Sequence, residues 1–200
     1  MTGALVVLSG PSGCGKSSLV NEILKEEKDI YFSISTTTRE IRDGEKEGVN
    51  YFYVSKDEFE KGIKEGEFLE WAEVHGNYYG TSIKPVQKAL LDGKLVIFDI
   101  DVQGHEIVKK HFPLLTTSVF ITTPSLDELE KRLLKRGTDS KDVIEKRLKN
   151  AKDEIKRADE YEFFLINDDF ETTLKELKSI IKVSKIKKSL KELKSFTENW

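Results

Sequence analysis

Eight consecutive residues near the N-terminus have the spacing of a phosphate-binding loop. The segment matches the pattern G-x-x-x-x-G-K-[ST]. Its members are Gly10, Pro11, Ser12, Gly13, Cys14, Gly15, Lys16 and Ser17. Glycines let consecutive backbone N–H groups turn toward a phosphate, and the N-terminus of the following helix adds partial positive charge. The pattern predicts a nucleoside-triphosphate site, in which Lys16 reaches the β- and γ-phosphates and the Ser17 hydroxyl binds Mg²⁺.

Two carboxylates lie at the end of a second apolar segment, Leu95–Asp101. Ligands bind at the carboxyl edge of a parallel sheet, so Asp99 and Asp101 are candidates for that edge. Either carboxylate could hold the water shell of a metal ion or contact an acceptor molecule, and Asp99 is the candidate for Mg²⁺ through a water. The alternative is a carboxylate at a strand end that caps the next helix.

Two arginines three positions apart, Arg39 and Arg42, lie in the polar segment Ser33–Glu45. Planar guanidinium groups suit a phosphate dianion, which a lysine would hold with less directionality. Taken alone, such loop arginines are more often ordinary surface charge.

Strands and helices alternate along most of the chain. Strands are predicted at Ala4–Ser9, Tyr31–Ser35, Leu95–Asp101, Thr117–Thr122 and Phe163–Asn167. Helices are predicted at Ser17–Lys28, Lys84–Leu91, Gly104–His111, from Ser125 to about Lys135, from about Ser140 or Lys141, and from Phe170 onward. This alternation predicts an α/β fold, with a parallel sheet of the P-loop NTPase type covered by helices on both faces.

The middle of the chain interrupts this alternation. Short strands are predicted at Tyr51–Val54, Phe68–Val74 and Tyr78–Ser82. Between the first two strands, the segment Ser55–Glu58 fits a capping box that opens a helix, and Gly66 is expected to end it. Three strands and a helix between two halves of a βα pattern indicate a small inserted α+β lobe.

Composition excludes several classes of protein. The chain has 200 residues, of which 38% are hydrophobic, enough to form a core and too many for a disordered chain. The single cysteine, Cys14, excludes an internal disulfide and a zinc site built from cysteines. The longest apolar run, Ala4–Leu8, is too short to cross a bilayer, and the N-terminus lacks the pattern of a signal peptide. We expect a cytoplasmic protein with no membrane partner.

Charge is distributed unevenly. Residues 175–200 carry eight lysines and three glutamates, a net charge of +5, which leaves −8 on residues 1–174. The lysines follow a helical spacing and are not clustered with aromatic residues, so we interpret them as a solvated helix face and expect no nucleic-acid partner.

The segments that carry this chemistry also carry a resemblance. They are GPSGCGKS, SISTTTREIRDGE, VNYFYVS, GEFLEWAEVHGNYYGTS, IFDIDVQG, RLLKRGTDS and INDD. Because these segments occur together and in this order, the chain resembles the guanylate kinase family from the phosphate loop to about Ser184. The resemblance implies an Mg²⁺-dependent transfer of the ATP γ-phosphoryl group to GMP. It divides the chain into a core of residues 1–35 and 84–186 with a helical lid at about 126–158, a GMP-binding lobe of residues 36–83, and a basic helical extension of residues 187–200.

The resemblance also implies roles for individual residues. The acceptor phosphate is expected among Arg39, Arg42, Tyr51 and Tyr79. The guanine base is expected at Ser35, Glu70 and Thr81, with Asp99 and Asp101 on the same side. Catalytic positive charge is implied for Lys16, Arg39 and the lid arginines Arg132, Arg136 and Arg147. Asn167 is expected near the adenine ring.

Guanine presents an N1–H and an amino group side by side, and one carboxylate such as Glu70 can accept from both donors. The alternative for Glu70 is a strand residue that faces water. Two other functions remain open. One is a kinase for another phosphorylated acceptor, and the other is a non-catalytic module of guanylate-kinase type that binds phosphopeptides. The sequence is compatible with a monomer or a homodimer.

Cys14 lies in the phosphate loop at a helix N-terminus and two residues before Lys16. Such surroundings favour a reactive thiolate, so one expectation is a thiol-sensitive enzyme that ATP protects. The other is that the side chain points inward as a small buried hydrophobe.

Overall fold

Two β-sheets organise the chain, which the computed structural model describes at residues 3–27, 29–74, 76–137, 139–187 and 190–200. The strands are β1 (Ala4–Ser9), β2 (Ile30–Ser33), β3 (Thr36–Thr37), β4 (Phe52–Tyr53), β5 (Phe68–Val74), β6 (Asn77–Ser82), β7 (Leu95–Asp99), β8 (Thr116–Thr122) and β9 (Phe163–Ile166). The helices are α1 (Lys16–Glu26), α2 (Lys56–Lys64), α3 (Ile83–Leu91), α4 (Val102–His111), α5 (Leu126–Arg136), α6 (Lys141–Glu154), α7 (Phe170–Ser184) and α8 (Leu190–Glu198). A 3-10 helix, Ile155–Glu160, continues α6.

The larger sheet has the order β2-β7-β1-β8-β9, and all its neighbouring strands are parallel. Every residue of β1 is buried, as expected for a continuous apolar strand covered on both faces. Val6 and Leu8 contribute to a core that includes Leu19 of α1 and Leu177 of α7. Alternate residues of the same strand pack on the other face against residues of α3 and α4. The predicted α/β fold is confirmed.

The second sheet has the order β4-β3-β6-β5 and is mixed, because β3 is parallel to β4 and antiparallel to β6. Helix α2 closes it through Phe59, which is fully buried and stacks on Phe68 and Tyr78 at ring-centroid distances of 4.3 and 5.3 Å. The capping box is present, since Ser55 Oγ accepts from the Glu58 backbone N–H and the Glu58 carboxylate accepts from the Ser55 N–H.

The structure corrects the predicted strand Tyr31–Ser35. The strand ends at Ser33, and the chain then enters the second sheet at Thr36, where it pairs with Phe52 and Gly80. The lobe therefore has four strands instead of three. Alternating residue types predict an extended chain, but they do not say to which sheet the chain hydrogen-bonds.

Side-chain caps set the start of two other helices. The strand Leu95–Asp101 ends at Asp99, and α4 begins at Val102 because the Asp101 carboxylate accepts from the first backbone N–H groups of the helix. Ser125 caps α5 by accepting from the Glu128 N–H, but the Glu128 carboxylate binds Arg132 instead of completing a capping box.

The C-terminal extension is helical at α8, whereas Lys188 and Ser189 lie outside the described residues, as does Lys28 at the predicted end of α1. Phe196 and Trp200 are exposed in the extension. Within the described part of the chain, no helix is long and apolar enough to span a membrane.

We expect Phe59→Ala to lower the free energy of unfolding by about 3–5 kcal/mol, because it leaves a cavity between two aromatic rings of the lobe. The measurement is urea unfolding followed by tryptophan fluorescence. Phe196→Ala removes an exposed ring and should change the same quantity by no more than about 0.5 kcal/mol. Equal effects of the two substitutions would contradict this account of the lobe.

Candidate active site

The phosphate loop joins β1 to α1, and its shape requires glycine at three positions. Gly10, Gly13 and Gly15 have φ values of +136°, +97° and +104°. A Cβ on Gly10 would lie 1.9 Å from the Ile121 carbonyl oxygen, so the loop packs directly on β8. Positive φ values and this close approach exclude side chains here, and they leave the loop backbone free to surround an anion.

Lys16 begins α1 and extends over this loop. Its ammonium donates to the Gly10 carbonyl oxygen at 2.7 Å and lies 3.8 Å from Asp99 Oδ1. Asp99 ends β7, which neighbours β1 in the sheet. The structure thus brings together two residues that the sequence places far apart, and it holds a cation at the mouth of the loop.

The residues expected to hold Mg²⁺ fit that ion chemically. Ser17 is exposed in the first turn of α1, and Asp99 is partly exposed at the end of β7. Hydroxyl and carboxylate oxygens suit Mg²⁺, which commonly keeps several waters and binds through one or two protein groups plus phosphates. Among the described residues, no group of three or more His, Cys, Asp or Glu side chains could hold a metal ion. This donor set fits an ion that arrives with a nucleotide.

Arg39, in the segment between β3 and β4, is fixed by a residue that the sequence interpretation missed. Its Nη2 donates to both carboxylate oxygens of Glu45 at 2.9 Å, and the guanidinium lies over the rings of Tyr51 and Tyr53. Glu45 also accepts from the Tyr53 hydroxyl at 2.8 Å. The nearby Arg-x-x-Arg spacing could have suggested an acidic partner, but it could not have identified Glu45.

The other predicted phosphate-binding residues surround Arg39. The rings of Tyr51 and Tyr79 meet edge to face at 5.8 Å. Burial raises the pKa of Tyr51 to about 12, with the Asp99 charge adding to the effect, so its hydroxyl is a donor at neutral pH. The Arg42 backbone N–H donates to the same Glu45 carboxylate, which orders the loop.

Glu70 does not face water. It lies on β5 with 6% of its surface exposed and pairs in register with Thr81 of β6. Burial is the largest influence on Glu70 and raises its pKa to about 7, with the Asp101 carboxylate acting in the same direction and the Thr81 hydroxyl and backbone opposing it. The Thr81 hydroxyl is buried beside this carboxylate, and Ser35 is buried as well. The lobe therefore buries a carboxylate and two hydroxyl groups, which are polar groups able to bind a ligand.

Asp101 caps the helix that follows it, which is the alternative role predicted for a carboxylate at this strand end. Its Oδ1 accepts from the backbone N–H groups of Gln103 at 3.0 Å and Gly104 at 2.8 Å, as the N-cap of α4. The same carboxylate, together with Glu73 and Glu154, lines a cavity of about 240 Å³ between the lobe, α4 and the end of α6. Asp101 therefore lies near Glu70 while serving a structural role.

Comparison with known proteins identifies the family. A family model described as guanylate kinase matches residues 2–184. The chain belongs to the guanylate kinase family. A guanylate kinase of Sulfurimonas denitrificans is 54% identical over 199 residues, which cover 100% of this chain and 97% of that protein. One of Wolinella succinogenes is 53% identical, with 99% and 92% covered. The crystal structure of guanylate kinase from Anaplasma phagocytophilum superposes with a TM-score of 0.76 at 32% identity, over 92% of this chain and 87% of that chain.

The lid arginines that the guanylate kinase resemblance pointed to are placed differently from one another. Arg147 of α6 contacts Ser12 of the phosphate loop and pairs with Asp139 at 3.1 Å. Burial lowers the pKa of Arg147; Asp139 opposes this, and the nearby Arg42 and Arg136 lower the pKa further. Arg132 donates to Glu128 one helical turn away, and Arg136 is exposed at the end of α5. Thr138, in the same segment, lies outside the described residues.

Asn167, expected near adenine, lies beneath the phosphate loop. Its amide donates to the Cys14 carbonyl oxygen at 2.7 Å, and its Nδ2 is 2.2 Å from where a Cβ on Gly15 would be. The side chain is 3% exposed. The observed contact stabilises the loop, and an adenine contact stays a prediction.

Cys14 is fully buried, and the expectation of an exposed, reactive thiolate is wrong. The side chain packs in the core with Leu19 and Leu133, and its Sγ accepts a long contact of 3.9 Å from the Lys16 ammonium. Burial raises the pKa of the Cys14 thiol, and this outweighs the opposing charge of Lys16. A helix N-terminus lowers a thiol pKa only where the sulfur stays accessible to solvent.

We expect Cys14 to react with a maleimide far more slowly in the folded protein than in urea, as followed by intact mass. In a Cys14→Ala background, Ser195→Cys places the only thiol at an exposed position of α8 and should be labelled equally fast in both conditions. Rapid labelling of native Cys14 would show that the loop opens readily.

Proposed function

We infer that the chain catalyses the transfer of the γ-phosphoryl group from ATP to GMP, giving ADP and GDP. One observation carries the choice of acceptor. A buried carboxylate, Glu70, pairs across the second sheet with Thr81, whose hydroxyl is also buried, in a protein that also carries a complete phosphate loop. The names of the relatives support the same activity.

At the donor end, the loop backbone and Lys16 are proposed to bind the triphosphate. The Lys16 ammonium donates to the loop carbonyl of Gly10 and would exchange that carbonyl for phosphate oxygens. Ser17, with Asp99 through water, would hold Mg²⁺, which neutralises phosphate charge when bound. Asn167 keeps the loop in shape through its bond to the Cys14 carbonyl.

At the acceptor end, Arg39, Arg42, Tyr51 and Tyr79 are proposed to bind the GMP phosphate. Because Glu45 and two aromatic rings already fix Arg39, little conformational entropy remains to be lost when the phosphate binds. The Glu70 carboxylate would accept from N1–H and the amino group of guanine, whereas adenine would present a ring acceptor to it. Ser35 and Thr81 would supply hydroxyl groups at the base.

Transfer itself needs positioning and positive charge and no protein nucleophile, because an oxygen of the GMP phosphate attacks. The contact between Arg147 and Ser12 brings a lid cation to the phosphate loop. Like charges at Arg42, Arg136 and Arg147 repel one another, and a transferring phosphoryl group between them would relieve that repulsion. Arg132 would have to leave Glu128 to join them.

The two alternatives are less well supported. A module that only binds phosphopeptides has no need of a phosphate loop with Lys16 and Ser17, and the two bacterial relatives described above are named as enzymes. A kinase for another acceptor would not need a buried carboxylate opposite Thr81. Since ATP and GMP are intracellular metabolites, we also propose a cytoplasmic location. A monomer or homodimer stays a prediction.

The decisive experiment measures ADP release in a coupled assay with a panel of nucleoside monophosphates. We expect rapid release with GMP and little with AMP or UMP. Lys16→Ala should lower kcat for GMP by about 100-fold or more, because it removes the ammonium at the transferring phosphate.

Lys25→Ala, which removes an exposed lysine from the same helix, is the matched control and should leave kcat unchanged. Equal rates with AMP and GMP, or a Lys16→Ala variant as active as the control, would refute the proposed function.

Glu70 also predicts a pH dependence. Because its pKa is about 7 in the free protein and only the carboxylate accepts two donors, the KM for GMP should rise roughly tenfold per pH unit below 7. Glu70→Gln should lower kcat/KM for GMP by about 100-fold or more, with a smaller effect on ATP.

The GMP phosphate also titrates near pH 6, so Glu70→Gln serves as the control that isolates its contribution. The part of the pH dependence that belongs to Glu70 should vanish in that variant. An unchanged profile would contradict the assignment of Glu70 to the base.

A further inference from the structure

Gly104 occupies the first turn of α4 and lies against the carboxylate of Glu70. A Cβ at Gly104 would be 2.9 Å from Glu70 Oε2 and 3.3 Å from Glu70 Cδ, with Ile100 Cδ1 at 3.2 Å. Ordinary contacts of a Cβ begin at 3.4 Å. The absence of a side chain at Gly104 therefore provides the space that the Glu70 carboxylate occupies.

Backbone conformation does not require glycine at this position. Gly104 lies inside a helix and is not among the glycines with positive φ. In a helix interior, glycine is less stable than alanine because it loses more backbone entropy on folding. Glycine therefore makes the helix less stable than alanine would, and the closeness of the Glu70 carboxylate is the feature of the structure that explains its presence.

Hydrogen bonds and packing hold the backbone at both Gly104 and Glu70, so neither segment can shift easily to accommodate a Cβ at Gly104. The Gly104 N–H is held by Asp101 Oδ1 at 2.8 Å, and the next residue, His105, is fully buried and stacks on Tyr161 at 4.0 Å. On the other side, Glu70 is paired with Thr81 in the second sheet. An added methyl group would therefore have to displace the end of the Glu70 side chain, by about 0.5 Å from the values above.

We propose that Gly104 is a positioning residue for base recognition, because its lack of a side chain lets the Glu70 carboxylate stand where both guanine donors reach it. Asp101 contributes by holding Gly104 in place as the cap of α4. The proposal rests on the proposed function and adds a determinant of acceptor specificity outside the residues that touch GMP.

The test compares Gly104→Ala with the wild type. Displacing a reacting or recognition group by a fraction of an ångström to 1 Å costs up to about 100-fold, so we expect kcat/KM for GMP to fall by about 10- to 100-fold, mainly through KM. The preference for GMP over IMP, which lacks the 2-amino group, should shrink. The KM for ATP should stay the same, and the melting temperature should be unchanged or higher, because alanine favours the helix.

Glu106→Ala, at an exposed position of the same helix, is the matched control and should leave the KM for GMP unchanged. In a Glu70→Ala background, which has no carboxylate to displace, Gly104→Ala should cause no further loss of kcat/KM.

The outcomes separate the two proposals. A wild-type protein that does not phosphorylate GMP overturns the proposed function together with this inference. An active wild type with an unaltered Gly104→Ala variant overturns the inference alone. A lower melting temperature in that variant, or an equal loss in the Glu70→Ala background, would show that the space serves packing instead, and it would also overturn the inference.

Discussion

Parallel pairing of β1 with β7 and β8 is the constraint on which the donor site depends. Because the strands run in one direction, their carboxyl ends meet at one edge, and the chain leaves each end with a polar residue or a loop. Gly10 packs on the Ile121 carbonyl of β8, Asp99 of β7 faces Lys16, and Asn167 after β9 binds the Cys14 carbonyl. The loop is therefore held in shape from three strands of the sheet.

The acceptor site depends on a different physical balance. Burying a carboxyl group such as Glu70 is unfavourable when it is ionised, and its raised pKa records that cost. A ligand with two adjacent N–H donors removes the cost by supplying hydrogen bonds to the charged form. The proposed contact between Glu70 and guanine is of this kind.

Arginines from different parts of the chain lie close together beside the phosphate loop. Helix α6 brings Arg147 to Ser12, close to Arg42 and to Arg136. Asp139, which is buried, neutralises only one of these arginines. Positive charge from the lid and the lobe therefore accumulates beside the phosphate loop, where phosphoryl transfer develops negative charge. The ion pair with Glu45 fixes the position of the Arg39 guanidinium in the lobe.

Local patterns in the sequence determined the phosphate loop, the α/β alternation and the capping box at Ser55, because each depends on neighbours a few positions apart. The candidate residues of the acceptor site came from the resemblance to the guanylate kinase family. Only the tertiary structure decided whether each side chain is buried or exposed and which distant residues it contacts. Cys14 turned inward, Asp101 became a helix cap, Glu70 was buried, and β3 joined the second sheet. Glu45 and Gly104 gained their importance from partners that only folding brings close. Burial, pKa and steric space are set by atoms distant in sequence, so no local pattern encodes them.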